Sequence, residues 1–400
     1  MTDRADRVAL TAVVFAVMLA QTLVYPGVDL LAAELGGSGV SAPTLFLSVE
    51  FAAFVLFVGG WGALSDSTGR RRPLIVVGAL GGAAGYLSLA VLPSLVDLSF
   101  VGALAVRGVQ GALTVGAFSL AMSALADLEG GNGRNMGAAG IAIGLGTAIG
   151  APVGGRLYEY DVFAPLYLAT GLLAVAGVLA LLVPDQVPAE SDEGGLSALV
   201  RGVRERRELA VPYAFAFVDR LTAGFFALVG TLYFREAFGL GPAATGLMLA
   251  AFFAPFALLQ YPFGVLSDRV GRIVPVSAGS LTFGVAVVAV GLAPSAAWAA
   301  VAMVVVGVLG ALMAPATLAL VVDLAGDTER GLAVAGFNAA GSLGFLAGSL
   351  VGGGVAATYG YLAAFGVAGG LEMLVALATL PALLRLGRRT GRTAVFGSGD

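Results

Sequence analysis

The sequence predicts an all-α polytopic membrane protein, with twelve transmembrane helices in two bundles of six, and three observations predict it. The 400 residues are 58% hydrophobic and 12% charged, with a mean hydropathy of +0.96, far from the balance of a soluble domain. The apolar residues fall in continuous runs of about 20, the length that crosses a bilayer as a helix, and not in the ten-residue alternating segments of a barrel. One polar stretch is written twice. Gly62-Ala-Leu-Ser-Asp66-Ser-Thr-Gly69-Arg70-Arg71-Arg72-Pro73 returns 202 residues later as Gly264-Val-Leu-Ser-Asp268-Arg-Val-Gly271-Arg272-Ile-Val-Pro275, about half the chain away.

Splitting the chain at charges and turn signals gives the spans in order. The first half places them at 8–27, 43–63, 73–92, 97–125, 135–157 and 163–183; the second half at 210–234, 243–266, 273–293, 295–322, 331–357 and 361–384. The run from Val8 to Tyr25 is too long for the apolar region of a cleavable signal peptide and is read as the first span. Residues 1–183 then form an N-terminal bundle and 210–400 a C-terminal bundle with a short tail. The linker at 184–209 begins acidic and ends, from Leu196 to Leu209, as a short amphipathic helix with four arginines.

All 21 basic residues are arginine. Seventeen lie on the side of the two repeated stretches, Arg156 and Arg235 lie opposite, and Arg107 and Arg220 fall inside spans. By the positive-inside rule the repeated stretches, the linker and both termini face the cytoplasm of the cell membrane.

Each repeated stretch reads as a tight cytoplasmic turn between two spans. Its Asp (Asp66, Asp268) suits the positive N-terminus of the following helix, and its glycines suit close approach and turning. The pattern G-x-L-S-D-x-x-G-R-R resembles the signature loop between helices 2 and 3 of the major facilitator superfamily, which has a weaker echo between helices 8 and 9. Arg107-Gly-Val-Gln110-Gly111 in span 4 is similar to that family's R-x-x-Q-G pattern. Span 5 carries Gly140, Gly144, Gly146, Gly150-Ala-Pro152-Val-Gly154-Gly155, which resembles the motif of its drug:proton antiporter branch. Glycines at one-turn spacing make a flat packing face, and Pro152 bends the helix. Span 11 keeps the small face (Gly341, Gly344, Gly348, Gly352, Gly353, Gly354) without the proline. A second repeat pairs Asp127 with Arg134 before span 5 and Asp323 with Arg330 before span 11. The resemblance implies that Asp66 lies near the start of span 11 and Asp268 near span 5, as contacts that gate the cytoplasmic side.

Charges within spans are costly and are functional candidates by default. They are Glu50, Arg107, the neighbours Asp219 and Arg220, and Glu372. Glu50 and Arg107 lie ~10 and ~15 Å below the outer ends of their spans at 1.5 Å per residue, so they are placed to meet. A carboxylate that pairs with arginine when ionised and also accepts a proton is the minimum equipment for proton coupling. Asp219 is a second candidate, while Glu372, in a span that is peripheral in the family, is expected to pack against neighbouring helices. Asp29, near Pro26, is expected at the outer vestibule. The family's cavity-lining spans offer Gln21, Thr22 and Tyr25, then Gln110 and Thr114, then Thr222, Phe225 and Phe226, then Met313 and Thr317. That weakly polar, aromatic set suits a lipophilic solute better than a sugar.

The chain has no Cys and no His, which excludes disulfides, thiol catalysis, haem ligation and histidine metal sites. It has no Walker loop and shows no clustered carboxylate pair, so an enzyme is not expected; no cofactor, metal or nucleic-acid partner is implied. Tails and linker are short for a sensor. The resulting expectation is a monomeric secondary transporter with a midplane site between its bundles and rocker-type alternating access, exporting a drug-like small molecule against H⁺ or Na⁺. The alternative is uptake or export of a metabolite, with Arg107 or Arg220 binding a carboxylate.

Overall fold

In an apolar bilayer a backbone can satisfy its amides only within itself, and every long apolar run of this chain closes as a helix. A computed structural model describes residues 3–39, 41–128, 132–185, 196–325 and 329–389. It has twelve helical spans long and apolar enough to cross a membrane, and no strand among the described residues. Spans 1 to 6 are Arg4–Glu34, Ser41–Thr68, Arg72–Leu95, Phe100–Asp127, Asn135–Leu157 and Ala164–Leu181. Spans 7 to 12 are Arg207–Phe238, Pro242–Val270, Ile273–Gly291, Ala296–Ala325, Arg330–Tyr359 and Tyr361–Leu386. Each overlaps the run that predicts it.

The described chain gathers into two compact units. One comprises Met1–Gly194 with Phe226–Phe253, the other Gly195–Phe225 with Ala254–Asp400. The ends of spans 7 and 8 that join at Gly239–Gly241 therefore belong with the first unit.

Spans 1 and 7 are not continuous α-helices, and their irregularities fall at corresponding places in the repeat. Span 1 passes through a 3₁₀ turn at Tyr25–Gly27, where Pro26 removes a backbone donor. Span 7 widens into a π-helical turn at Phe226–Gly230 with no proline. There Thr231 Oγ1 donates to the Ala227 carbonyl at 3.2 Å, and a side chain at Gly230 would strike the Phe226 ring at 2.7 Å. Both irregularities occur where a helix must redirect without exposing its backbone.

The repeated loops are shorter than the sequence suggests. Span 2 runs helical through Asp66 to Thr68, and span 8 through Asp268 to Val270, so only Gly69–Arg71 and Gly271–Arg272 are left to turn. Gly69 (φ 63°) and Gly271 (φ 85°) adopt the left-handed conformation that glycine tolerates best. Asp66 and Asp268 sit in the last turns of the preceding helix and not at the N-cap of the following one. The residue at each following N-cap is an arginine, with no side-chain cap of its own. Asp185, after span 6, does the capping of span 3 instead, accepting from the backbone amides of Arg71 and Arg72 at 3.1 Å each.

Residues 186–195 of the linker lie outside the described residues. Its second half is the expected helix, Leu196–Glu205, followed by a 3₁₀ turn at Arg207–Leu209. Gly202 packs against the Tyr213 hydroxyl, which donates to the Ala333 carbonyl at 2.8 Å. Arg206 pairs with Glu329 and donates to the Leu324 carbonyl at 3.1 Å, fixing this helix to spans 10 and 11.

Candidate functional site

In the first unit, small residues let span 4 approach its neighbours closely. A Cβ at Gly111 would lie 3.1 Å from the Glu50 Cα, and one at Gly85 would lie 2.5 Å from the Gln110 Cβ. This packing brings Glu50 and Arg107 together, both fully buried: Arg107 Nη2 donates to Glu50 Oε2 at 2.5 Å. Arg107 Nη1 donates to Gln110 Oε1 at 2.8 Å, and Gln110 Nε2 to Thr114 Oγ1 at 2.8 Å. The guanidinium also lies 4.9 Å from the Phe46 ring centre and 5.3 Å from that of Tyr86, so cation–π attraction helps hold the charge.

Gln21 and Tyr86 face the same carboxylate. Glu50 Oε1, Arg107 Nε and the Tyr86 hydroxyl are nonetheless buried without a hydrogen-bond partner. Tyr25, also buried, meets Phe51 edge-on at 6.4 Å. The cluster is thus one buried ion pair with one carboxylate oxygen left over.

The remaining cavity-lining candidates are closed into helix packing. Thr22 bonds to the Met18 carbonyl of its own helix and to the Gly146 carbonyl of span 5. Thr222 and Thr317 turn back on Val218 and Met313, while Phe225, Phe226 and Met313 are buried. An accessible polar surface appears elsewhere: Arg220, Asn338 and Ser342 are exposed within spans 7 and 11, with Gly341 against the Arg220 side chain. Sequence reasoning missed Asn338 and Ser342, since neither carries a charge that makes it conspicuous in an apolar run.

The span 5 motif divides its work. Gly146, Gly150 and Gly154 lie against span 1, at Met18, the Thr22 hydroxyl and the Leu23 carbonyl, whereas Gly155 lies against the Pro242 carbonyl, 2.3 Å from an added Cβ. Gly246 reciprocates against Ala151 and Pro152. Gly140 meets nothing within 4 Å. At the same end of this unit Asp29 accepts from Arg235 at 2.7 Å, and the Tyr158 hydroxyl donates to the Val24 carbonyl at 3.0 Å. Burial raises the Tyr158 phenol well above its ordinary range, so it stays a donor.

Two loop arginines, Arg71 and Arg272, pair within their own halves. Arg71 pairs with Asp127 at the end of span 4, and Arg272 pairs with Asp268 at 2.5 Å and with Asp323, at the end of span 10, at 3.5 Å. Gly62 has nothing within 4 Å. The loop residue Arg70 is exposed. Arg330 opens span 11, and Arg134 lies in the helical turn just before span 5, with its side chain outside the described residues. The sequence shows no carboxylate pair, but the structure makes one: Asp219 and Glu372 meet across spans 7 and 12.

The sequence model described as Major Facilitator Superfamily matches residues 10–234 and 212–398. The class G tetracycline resistance protein of Vibrio anguillarum is 32% identical over 229 residues, 54% of this chain and 56% of that protein. An uncharacterized MFS-type transporter of Methanocaldococcus jannaschii is 26% identical over 171 residues, 43% of this chain and 44% of that protein. The chain thus spans about half the length of the curated relatives it matches. Among solved structures, the human organic anion transporter MFSD10 (TETRAN) superposes with a TM-score of 0.69 at 20% identity, covering 94% of this chain and 99% of its own. The nucleoside transporter NupG gives 0.75 at 14% identity, covering 94% and 99%. A bacterial homolog of the human lysosomal transporter Spinster, inward-facing and unoccupied, gives 0.73 at 14% identity, covering 99% of both chains.

Proposed function

Because the chain belongs to the Major Facilitator Superfamily, it is a multi-pass membrane transporter and not an enzyme, and we propose that it exports a hydrophobic, drug-like small molecule in exchange for protons. In this reading it works as a monomer by alternating access in the cell membrane, with both termini and the Gly69 and Gly271 turns on the cytoplasmic side. The observation that carries the coupling is Glu50: fully buried, paired with Arg107, and holding one oxygen without a partner. A carboxyl so placed exchanges a proton against its arginine as the surroundings change. Solute and proton then compete, so that binding one unloads the other. The tetracycline resistance relative supports a drug-like solute, as does the span 5 motif.

The pairs Arg71–Asp127 and Arg272–Asp323 serve in this reading as latches that hold the loops while one side is closed. A second reading, transport of an organic anion, is favoured by Arg220, an accessible guanidinium inside a span with no ion pair among the described residues.

The test uses purified protein in liposomes under an imposed pH gradient. Accumulation of tetraphenylphosphonium that follows the gradient and falls at least tenfold in Glu50→Gln is the expected result. Accumulation of a lipophilic carboxylate in its place, lost in Arg220→Gln, favours the second reading. Gradient-independent flux of both overturns the coupling.

A further inference from the structure

The second unit holds a buried polar cluster that the coupling at Glu50 does not use. Glu372 of span 12 is fully buried; Ser280 of span 9 donates to its Oε1 at 2.5 Å, and its Oε2 has no hydrogen-bond partner. Asp219 of span 7 reaches the same place. Its side chain lies within hydrogen-bonding reach of Glu372, and its Oδ1 is buried without a partner.

Glycine sets this meeting. A Cβ at Gly284 would lie 2.5 Å from the Gly369 carbonyl oxygen, and one at Gly369 would lie 2.4 Å from that of Gly284. Spans 9 and 12 therefore touch backbone to backbone one helical turn from both Ser280 and Glu372. Three helices place three oxygen-bearing groups together and leave two carboxylate oxygens unsatisfied.

An ionised carboxylate accepts hydrogen bonds and donates none, so two of them bond to each other only with a proton between them. Both ionised, they would repel across a medium of low dielectric. Among the described residues, neither carboxylate is held in an ion pair. Spans 9, 10 and 11, which pack against spans 7 and 12, bring Arg272, Asp323 and Arg330 only at their ends, and Tyr213, Tyr359 and Tyr361 likewise sit near helix ends. Arg220, the sequence neighbour of Asp219, has an exposed side chain and forms no ion pair among the described residues.

We infer that Asp219, Glu372 and Ser280 form a proton-binding site in which the two carboxyl groups share one proton. Within the proton-coupled reading above, on which this part of the inference rests, it is a second carrier of the driving proton, separate from Glu50. Asp219 is partly exposed and Glu372 is not, so the proton enters from water at Asp219, forms an O–H on one carboxyl that donates to the other, and returns to water by the same route. No other bond is made or broken. With a single proton between two carboxyl groups, the proton belongs to neither residue alone.

Two readouts test this. The first needs no solute: infrared difference spectra of the purified protein in lipid at neutral pH. A protonated-carboxyl C=O stretch is expected that is lost in Glu372→Gln, shifted in Asp219→Asn and kept in Glu50→Gln. A band indifferent to both Asp219→Asn and Glu372→Gln overturns the site, and a band abolished by sodium at fixed pH assigns the pocket to that cation. Ser280→Ala, which keeps both carboxyls, shifts the band and decides the matter should Glu372→Gln fail to fold.

The second readout is transport. Gradient-driven accumulation of tetraphenylphosphonium falls at least tenfold in Asp219→Asn and in Glu372→Gln. Accumulation unchanged in both variants overturns the carrier role with export intact; no accumulation by the unaltered protein overturns export, and the infrared result still decides the pair.

Discussion

Removing one partner of the Glu50–Arg107 pair leaves the other charge buried with no water to receive it. The 2.5 Å contact puts the two charge centres about 4 Å apart, where opposite unit charges attract by about 4 kcal/mol at an effective dielectric near 20. Breaking a buried pair on one side costs about 3–5 kcal/mol, because the remaining charge keeps its desolvation penalty and loses its compensation. Glu50→Gln is expected at the lower end of that range, since Gln110 and the faces of Phe46 and Tyr86 still hold the guanidinium. Arg107→Gln is expected at the upper end, since Glu50 Oε1 already lacks a donor. The double variant has no charge to strand, and its cost falls below the sum of the two by about 2 kcal/mol or more. Reversible unfolding of the four proteins in mixed micelles measures this cycle. Single costs that add to within about 0.5 kcal/mol would refute the account of the cluster as a coupled ion pair.

The glycine contacts make a graded prediction for thermal unfolding. Gly154→Ala and Gly155→Ala put a methyl 2.0 and 2.3 Å from carbonyl oxygens and are expected to cost about 1–3 kcal/mol, whereas Gly140→Ala, with nothing within 4 Å, leaves the midpoint unchanged. Asp29→Asn is expected to cost about 1 kcal/mol, and Arg235→Gln on top of it little more, because one partly exposed pair is lost in either case. Arg71→Gln removes an ion pair whose Asp127 partner is 40% exposed, so stability falls by less than about 1 kcal/mol. Its proposed effect is on turnover, which flux in liposomes reads separately.

The twelve spans were legible because hydrophobic length alone decides them, and the Glu50–Arg107 meeting because depth along two neighbouring helices can be counted in residues. The 3₁₀ turn at Tyr25–Gly27 was not anticipated, although Pro26 removes a backbone donor there. Nor was the π-helical turn at Phe226–Gly230, where no residue forces it. Hydropathy does not reveal that the helices of spans 2 and 8 continue through Asp66 and Asp268, nor that Asp185, from the far side of spans 4 to 6, caps span 3. The Asp219–Glu372 meeting was hidden for another reason. It depends on the rotation of span 12 about its axis, which the Gly284–Gly369 contact fixes and which a sequence does not display. The same unknown rotation buried Thr22, Thr222 and Thr317 in packing, where they were expected to line a cavity.

Proton-coupled export is tested most directly in inverted membrane vesicles acidified by respiration, with luminal pH followed by a quenching dye as lipophilic cations, lipophilic anions, sugars and amino acids are added in turn. Lipophilic cations are expected to alkalinise the lumen, with a response that disappears in Glu50→Gln. Silence with the cations, together with a response to a sugar or an amino acid, would contradict that expectation.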